Sequence, residues 1–431
     1  MALPSFLQAS LLVLAAQLSS VAAASSHGDA GIAQEGVQVP MIPKYMENLT
    51  ETATFHPEGW YTPNICEGKW CLYSSREVGN GRGLVVITSH DNFQKIRRLE
   101  VFMNKMQSTP GPGAPGVPFE AREMPSSSKS DSHAESPFEL VATQPLKRGT
   151  KLMELMPVVM AHKTFLNETD RAAQDHLLEA ALALLPDKTR EIARAGMAKS
   201  RHPSARSSLR DALLLHPFET GTGATHWDGP GHGRHHALYP EALAARHECR
   251  ANVAWHVGPN HELHLTVARR TTDPDEPLSL SFLNPTLPRV ERAEAARQLW
   301  GTACSCDHCA SGGDLDAVRA RDGRHAELAA IEKELKDMDS ARVTTGMLEH
   351  YVALLGRDNM HARMAEAYEL VAYNYAYLGF EKQARKYGAL AVQAAVIEQG
   401  ADANDVTALR VFANSVTEHY SWQRKVKKKQ G

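Results

Sequence analysis

Short apolar stretches typical of strands alternate along the chain with longer segments of helical periodicity. Apolar and polar residues alternate over Val253–Val257 and Leu263–Val267, which predicts two half-buried strands. The stretches 138–143 and 151–156 carry a similar pattern on either side of a short turn and predict a hairpin. Over 320–425, apolar and small residues recur at the spacing of paired helices in a repeat protein. The pattern predicts an α+β fold with a helical C-terminal domain.

Shifts in composition divide this pattern into domains. Proline, glycine and serine dominate residues 107–136, which predicts a flexible linker. The periodicity over 170–210 predicts a helical insert within the strand-rich region. The organisation we expect is a signal peptide at 1–24, an N-terminal extension at 25–106, the linker at 107–136, a strand-rich region at 137–310 and the helical domain at 320–425.

The first 24 residues have the features of a secretory signal peptide. An apolar run is followed by the small residues Ala22, Ala23 and Ala24, which form a typical cleavage site. The run is too short to span a bilayer, and no other segment is long and apolar enough to do so. We therefore expect cleavage near Ala24 and entry into the secretory pathway. The alternative is a buried helix in a cytoplasmic or nuclear protein.

The chain length and net charge limit the possible functions only broadly. At 431 residues the chain is long enough for two or three domains with cores of their own. Its formal net charge of -3 argues against general nucleic-acid binding.

The spacing of the cysteines is the strongest chemical signal. Cys304, Cys306 and Cys309 form a C-x-C-x-x-C motif, which is too tight for two independent disulfides and is typical of a zinc knuckle. A tetrahedral zinc site needs a fourth ligand, and Cys249 is the obvious candidate. The alternative is a set of buried or disulfide-bonded cysteines.

Other cysteines and histidines carry weaker signals. Cys66 and Cys71 could pair with each other in an oxidising compartment or remain free thiols in a loop. Residues 221–236 are rich in glycine and histidine but lack acidic partners. They predict a mobile loop, and a second metal site is the alternative.

Around the main cysteine set the chain resembles the SET domain. The motif R-H-E-C-R-A-N at 246–252, the strand that ends at Phe282, and Trp300-Gly301 before C-x-C-x-x-C follow the order of the family pattern. The match is to the subgroup with a split SET core and a tetratricopeptide-like C-terminal domain, here without the MYND zinc insert, as in some fungal SET proteins. The resemblance implies small sheets around a pseudo-knot, a post-SET zinc knuckle, and lysine methylation that depends on S-adenosylmethionine.

The resemblance also implies roles for individual residues. His247 and Asn252 match the cofactor-binding motif, and Arg246 stands where the family has an asparagine that binds the amino group of S-adenosylmethionine. A lysine of a protein or peptide would be the substrate. The ligands of the structural zinc ion would be Cys249, Cys304, Cys306 and Cys309.

The cofactor and catalytic positions depart from the family pattern. Arg246 would place a guanidinium beside the positive groups of the cofactor. Phe282 replaces the catalytic tyrosine and offers no hydroxyl, so we assign no catalytic residue. Thr302 replaces an aromatic residue expected to stack on adenine. The three glycines that let the backbone approach the cofactor are replaced by Glu135, Pro137 and Glu139.

Two classes of function follow from this pattern. In the first, the protein methylates lysine residues, with catalysis that comes from positioning and electrostatics. In the second, it is a SET-fold binding or scaffold protein that transfers no methyl group and acts through its helical domain. Departures at so many positions of one pocket predict weak or absent methyl transfer.

Overall fold

The computed structural model describes residues 54–99, 108–123, 138–200, 202–221, 233–269, 274–306, 308–309 and 315–426. The predicted signal peptide at 1–24 lies outside these ranges, as do Glu135 and Pro137. The expectations for these residues therefore stay predictions.

The described residues form an α+β fold with small sheets and a helical C-terminal region, as predicted. The strands are β1 Thr54–Phe55, β2 Trp60–Thr62, β3 Cys66–Glu67, β4 Trp70–Ser75, β5 Leu84–Ser89, β6 Phe119–Glu123, β7 Phe138–Ala142, β8 Lys151–Leu155, β9 Val159–His162, β10 Glu219–Gly221, β11 Arg234–Leu238, β12 Arg246–His247, β13 Val253–Val257, β14 Leu263–Val267 and β15 Ser279–Leu280. The helices are α1 Val78–Gly81, α2 His90–Ile96, α3 Lys163–Glu168, α4 Arg171–Leu184, α5 Asp187–Ala198, α6 Leu209–Leu215, α7 Arg289–Trp300, α8 Leu315–Lys336, α9 Thr345–Arg357, α10 Met364–Tyr377, α11 Glu381–Gln399 and α12 Asn404–Asn414. Short 3-10 turns lie at Pro203–Arg206, Pro240–Ala242, His361–Arg363 and Val416–Glu418.

One mixed sheet joins the N-terminal extension to the strands around the helical insert. Its strands follow the order β1-β2-β4-β5-β9-β11-β10, and β3 pairs with β4. Residues 84–88 of β5 are fully buried, as expected for a strand that is covered on both faces. β5 runs parallel to β9 and antiparallel to β4, and α4 packs against it. This sheet therefore forms the centre of the N-terminal half of the described chain.

A disulfide between Cys66 and Cys71 links β3 to β4. The two residues lie directly opposite each other in the antiparallel register of these strands. Of the two interpretations that the sequence left open for this pair, the structure supports the disulfide.

Part of the predicted linker is ordered. β6 pairs antiparallel with β7, with Phe119 opposite Ala142, and the side chain of Phe119 is fully buried. The structure thus differs from the prediction of a flexible linker at 119–123. The proline- and glycine-rich composition is typical of turns, and here it belongs to the turns that precede β6. It does not reveal the partner strand further along the chain.

The predicted hairpin of 138–143 and 151–156 is not formed. β7 pairs with β6, whereas β8 pairs with β14, which also pairs with β13 in a three-stranded antiparallel sheet. In that sheet Leu155 lies opposite Leu263, and both side chains are fully buried. Burial of this shared apolar face explains why β8 pairs with a strand that is distant in the sequence.

The glycine- and histidine-rich segment is partly a strand. His235 and His236 belong to β11, which pairs with β9 and β10, so the prediction of a mobile loop is wrong at these two positions. His235 is fully buried and its ring bonds Gly233 O at 2.8 Å and Thr88 Oγ1 at 3.1 Å. His226 and His232 lie outside the described residues.

A short parallel pairing brings the motif at 246–252 against the strand that leads to Phe282. Arg246 lies opposite Ser279 and His247 opposite Leu280 in the pairing of β12 with β15. The indole nitrogen of Trp255 donates a hydrogen bond to Ser281 O at 2.9 Å and ties β13 to the same segment. The crossing of β12 and β15 thus places the motif at 246–252 beside the segment that leads to Phe282.

The C-terminal region consists of helices around a second apolar core. α10 packs against α11, and α11 against α12, through small residues such as Ala372, Ala384 and Ala391 that are fully buried. Small side chains let neighbouring helices approach closely. Among the described residues, no helix has the combination of length and apolar composition that a membrane span requires.

Gly196 allows α5 to pack directly on the turn at Pro240–Ala242. A Cβ atom at position 196 would lie 2.3 Å from Pro240 O, so Gly196→Ala must push the helix and the turn apart. We expect the free energy of unfolding to fall by about 1–3 kcal/mol, measured by chemical denaturation.

The matched control is Gly323→Ala in the middle of α8. Gly323 is exposed and a Cβ there would meet no atom within 4 Å. Alanine should therefore stabilise the helix by about 1 kcal/mol. A loss of stability in both variants would contradict the packing described for α5.

Candidate metal centre

Two segments far apart in the sequence bring the four predicted ligands together. Cys249 lies in the turn that follows β12, and the C-x-C-x-x-C motif follows α7. α7 ends at Gly301, whose φ of 74° lies in the left-handed region that favours glycine. The chain therefore turns sharply after Trp300 and returns towards Cys249.

The sulfur atoms form a compact cluster. Cys249 Sγ lies 3.6 Å from Cys309 Sγ, and the sulfurs of Cys249, Cys304 and Cys306 lie within 4.8 Å of one another. Cys249, Cys306 and Cys309 are buried and Cys304 is half-buried, and none of the four forms a disulfide. A tetrahedron with metal–sulfur bonds of about 2.3 Å has edges of about 3.8 Å. The cluster could hold a metal ion, and its geometry is consistent with zinc.

Contacts among the thiols shift their protonation. Hydrogen bonds with Cys304, Cys306 and Cys309 raise the pKa of Cys249. Hydrogen bonds from Cys249, Cys304 and Cys306, together with one from Arg292, hold the pKa of Cys309 far below its usual range. The cluster therefore favours negative charge on at least one sulfur, which is the form that binds a metal.

The structure places His247 at this cluster, where the resemblance implied a role in cofactor binding. Its Nε2 atom lies 3.5 Å from Cys249 Sγ, close enough to count as a possible ligand. Its Nδ1 atom accepts a hydrogen bond from the backbone N–H of Phe282 at 3.2 Å. Burial lowers the pKa of His247 to about 4, so the ring is neutral at pH 7.

The hydrogen bond to Nδ1 favours one tautomer of the ring. A neutral imidazole carries one proton, and Nδ1 must be free of it to accept from Phe282. The proton therefore lies on Nε2, which donates to the sulfur of Cys249. If Nε2 bound the metal, Nδ1 would carry the proton and face a second donor. The geometry thus favours four sulfur ligands, with His247 as a hydrogen-bond donor outside them.

Arg292 provides a buried positive charge beside the cluster. The residue is fully buried, and its Nη1 atom donates to the backbone oxygen of Leu287 and lies 3.0 Å from His325 Nδ1. The Nε atom of Arg289 donates to Cys309 O at 3.1 Å. Four thiolates around a divalent cation leave a net negative charge, which a buried guanidinium offsets. This role cannot be predicted from the cysteine motif, because neither arginine belongs to it.

Arg246 forms ion pairs on the other side of the motif. Its Nη2 atom lies 2.6 Å from Glu248 Oε1, and its Nη1 atom lies 3.7 Å from Glu139 Oε1. Both glutamates are 8% exposed. Arg246 and Glu139 are two of the positions at which the sequence departs from the SET pattern. The structure shows that these two departures lie against each other.

Asn252 uses its side chain to fix β15. Its Nδ2 atom donates to Pro277 O at 2.8 Å, and its Oδ1 atom accepts from the backbone N–H of Ser279 at 2.9 Å. The residue is 2% exposed. These bonds occupy both ends of the amide, so Asn252 has a structural role in the described chain.

Phe282 packs into a cluster of aromatic rings. Its ring centroid lies 5.6 Å from that of Phe218 and 6.0 Å from that of Trp255. The nearby hydroxyls are engaged, since Tyr239 donates to His261 O at 2.7 Å and Ser281 donates to Leu283 O at 2.8 Å. The proton of each hydroxyl is therefore already used in a bond to a backbone oxygen.

Comparisons with known proteins add no assignment. A scan against models of protein families finds no match, and a search of curated proteins finds none either. The resemblance to the SET domain therefore rests on the residue pattern quoted above.

We expect one zinc ion per chain, bound by Cys249, Cys304, Cys306 and Cys309. Cys306→Ser should abolish stoichiometric metal binding and lower the thermal stability, because a structural metal contributes folding energy. Metal analysis of purified protein checks this. Cys66→Ser, outside the cluster, should keep its zinc. An unmodified protein without stoichiometric zinc would refute the assignment.

His247→Phe tests the hydrogen bond to Cys249. Loss of the N–H donor should weaken zinc binding by about 10- to 100-fold, measured by competition with a chelator, without loss of the metal at saturation. His350→Phe, at an exposed position, should leave the affinity unchanged. Complete loss of metal from His247→Phe would instead make His247 a ligand.

Proposed function

We propose that this chain is a SET-domain protein that has lost methyl transfer and acts as a zinc-stabilised binding protein. The observation that carries the proposal is the ion pairing of Arg246 with Glu139 and Glu248. The alternative, a working lysine methyltransferase, requires a pocket that accepts the positive groups of S-adenosylmethionine.

The ion pairs place a cation where such a cofactor would bring its own positive groups. The sulfonium and ammonium groups of S-adenosylmethionine would be stabilised by carboxylates or neutral acceptors. Glu139 and Glu248 are carboxylates at this place, but the guanidinium of Arg246 is already their ion-pair partner and offsets one of their two negative charges. A cofactor would have to displace Arg246 and leave a mostly buried cation without its partners, which costs several kcal/mol.

The catalytic step also lacks its polar group. Removal of one preorganised polar contact to a transition state typically slows a reaction by about 100- to 1,000-fold. Phe282 offers no hydroxyl, and those of Tyr239 and Ser281 already donate to backbone oxygens. Arg246 affects cofactor binding, whereas Phe282 affects the methyl-transfer step. Because the two steps are different, the effects compound.

The proposed zinc site explains how the fold could be kept after methyl transfer is lost. Four sulfurs, three of them buried, support a structural role for the metal, because a site with four cysteine ligands leaves no position open to a substrate. The fold would then persist after the catalytic site had changed. In this proposal the helical C-terminal region is the part that binds a partner.

Titration of S-adenosylmethionine into the zinc-loaded protein tests the proposal. We expect no binding and no methylation of histone or peptide lysines under conditions in which an intact SET enzyme is saturated and active. Phe282→Tyr alone should not restore activity, because the cofactor still cannot enter. Arg246→Asn together with Phe282→Tyr should give partial cofactor binding.

The variants need a control for folding, since Arg246→Asn leaves Glu139 and Glu248 without their cation. Circular dichroism and zinc content should match those of the unmodified protein before binding is compared. Micromolar affinity and steady turnover in the unmodified protein would overturn the proposal.

A further inference from the structure

An acceptor sequence for N-linked glycans lies at the corner between two helices. The triplet Asn167-Glu168-Thr169 has the form N-x-T that accepts such glycans in secreted proteins. α3 ends at Glu168, and α4 begins at Arg171 after the cap residue Asp170. Triplets of this form also arise by chance, so the exposure of the asparagine and the contacts around it decide whether it can carry a glycan.

The packing of α3 turns Asn167 towards solvent. Phe165 and Leu166 face the core and are 0% and 2% exposed. Asn167 and Glu168, the next two residues of the helix, are exposed, as is Asp170 after them. A glycan attached to the Asn167 side chain would therefore extend from a polar part of the surface into solvent.

The corner is held together by groups other than the amide of Asn167. The buried Gln174 donates through Nε2 to Leu166 O at 3.0 Å and to Thr169 O at 2.6 Å. The backbone N–H of Thr169 donates to Phe165 O at 3.2 Å. These bonds satisfy carbonyl groups at the end of α3. Attachment of a sugar at position 167 leaves all of them in place.

The disulfide between Cys66 and Cys71 is consistent with the compartment in which such glycans are added. Disulfides form and persist in oxidising compartments such as the lumen of the endoplasmic reticulum, and they are rare in the cytosol. The apolar run before Ala24 predicts entry into the same compartment. The disulfide is a feature of the structure and the apolar run is a feature of the sequence, so they are separate observations.

We propose that Asn167 carries an N-linked glycan that is added as the chain enters the secretory pathway. The Nδ2 atom of Asn167 forms a bond to the anomeric carbon of an oligosaccharide that is carried on a lipid pyrophosphate. The bond between that carbon and the pyrophosphate oxygen breaks. The lipid pyrophosphate leaves with the electron pair of this bond, and the amide nitrogen gives up one proton. This inference does not depend on the fate of the methyltransferase-like site, so each can fail without the other.

A second triplet of similar form should stay unmodified. Asn284-Pro285-Thr286 has proline at its middle position, which excludes it from the acceptor pattern. Asn284 Oδ1 accepts from the backbone N–H of Thr286 at 3.1 Å and from its hydroxyl at 2.7 Å. Asn284 is exposed, like Asn167, so it serves as an internal control for exposure alone.

Expression of the full chain in eukaryotic cells tests the proposal, followed by digestion with an amidase that removes N-linked glycans. A further N-x-T triplet begins at Asn48, outside the described residues, so the test uses an Asn48→Gln background. Digestion should lower the apparent mass by one glycan and leave an aspartate in place of Asn167, which mass spectrometry detects. The peptide that contains Asn284 should be unchanged.

Variants of the triplet provide the matched controls. Asn167→Gln and Thr169→Ala should both abolish the mass shift, whereas Thr169→Ser keeps the hydroxyl and should retain it. The digestion is made on denatured protein, so a variant that fails to fold still gives a result. No mass shift in the Asn48→Gln protein, or a shift that persists in Asn167→Gln, would overturn the proposal.

Discussion

The cluster of four thiols brings together two segments that are far apart in the sequence. Cys249 and Cys309 are 60 residues apart in the sequence, yet their sulfurs lie 3.6 Å from each other. The neighbouring pairing of β12 with β15 involves two residues on each strand, which is too short to be stable alone. A metal ion shared by both segments would supply the missing free energy, and buried thiolates without one would repel each other.

Hydrogen bonds extend from this cluster to the positions that resemble a methyltransferase site. His247 Nε2 lies 3.5 Å from the sulfur of Cys249 and its Nδ1 atom accepts from the backbone N–H of Phe282, so the ring connects the cysteine cluster to the end of the strand. Arg246, next to it, pairs with two glutamates, and Asn252 fixes β15. The polar side chains of this motif thus stabilise the crossing.

The sequence predicts local features well and distant pairings poorly. The alternation of apolar and polar residues over Val253–Val257 and Leu263–Val267 predicts both strands correctly. It does so because the buried face of a strand can be inferred from the strand's own sequence. The pairing of β6 with β7 and of β8 with β14 depends on partners that composition does not reveal. The cysteine spacing predicts the thiol cluster. The role of His247 depends on the hydrogen-bond partner of its Nδ1 atom, which the sequence does not reveal.

X-ray absorption spectroscopy at the metal edge of the purified protein tests the central claim most directly. A centre with four cysteine ligands and His247 outside them predicts four sulfur atoms at about 2.3 Å and no nitrogen in the first coordination shell. Three sulfurs with one nitrogen at about 2.0–2.1 Å would contradict the account, because His247 would then be a ligand and its link to Phe282 would have to be broken.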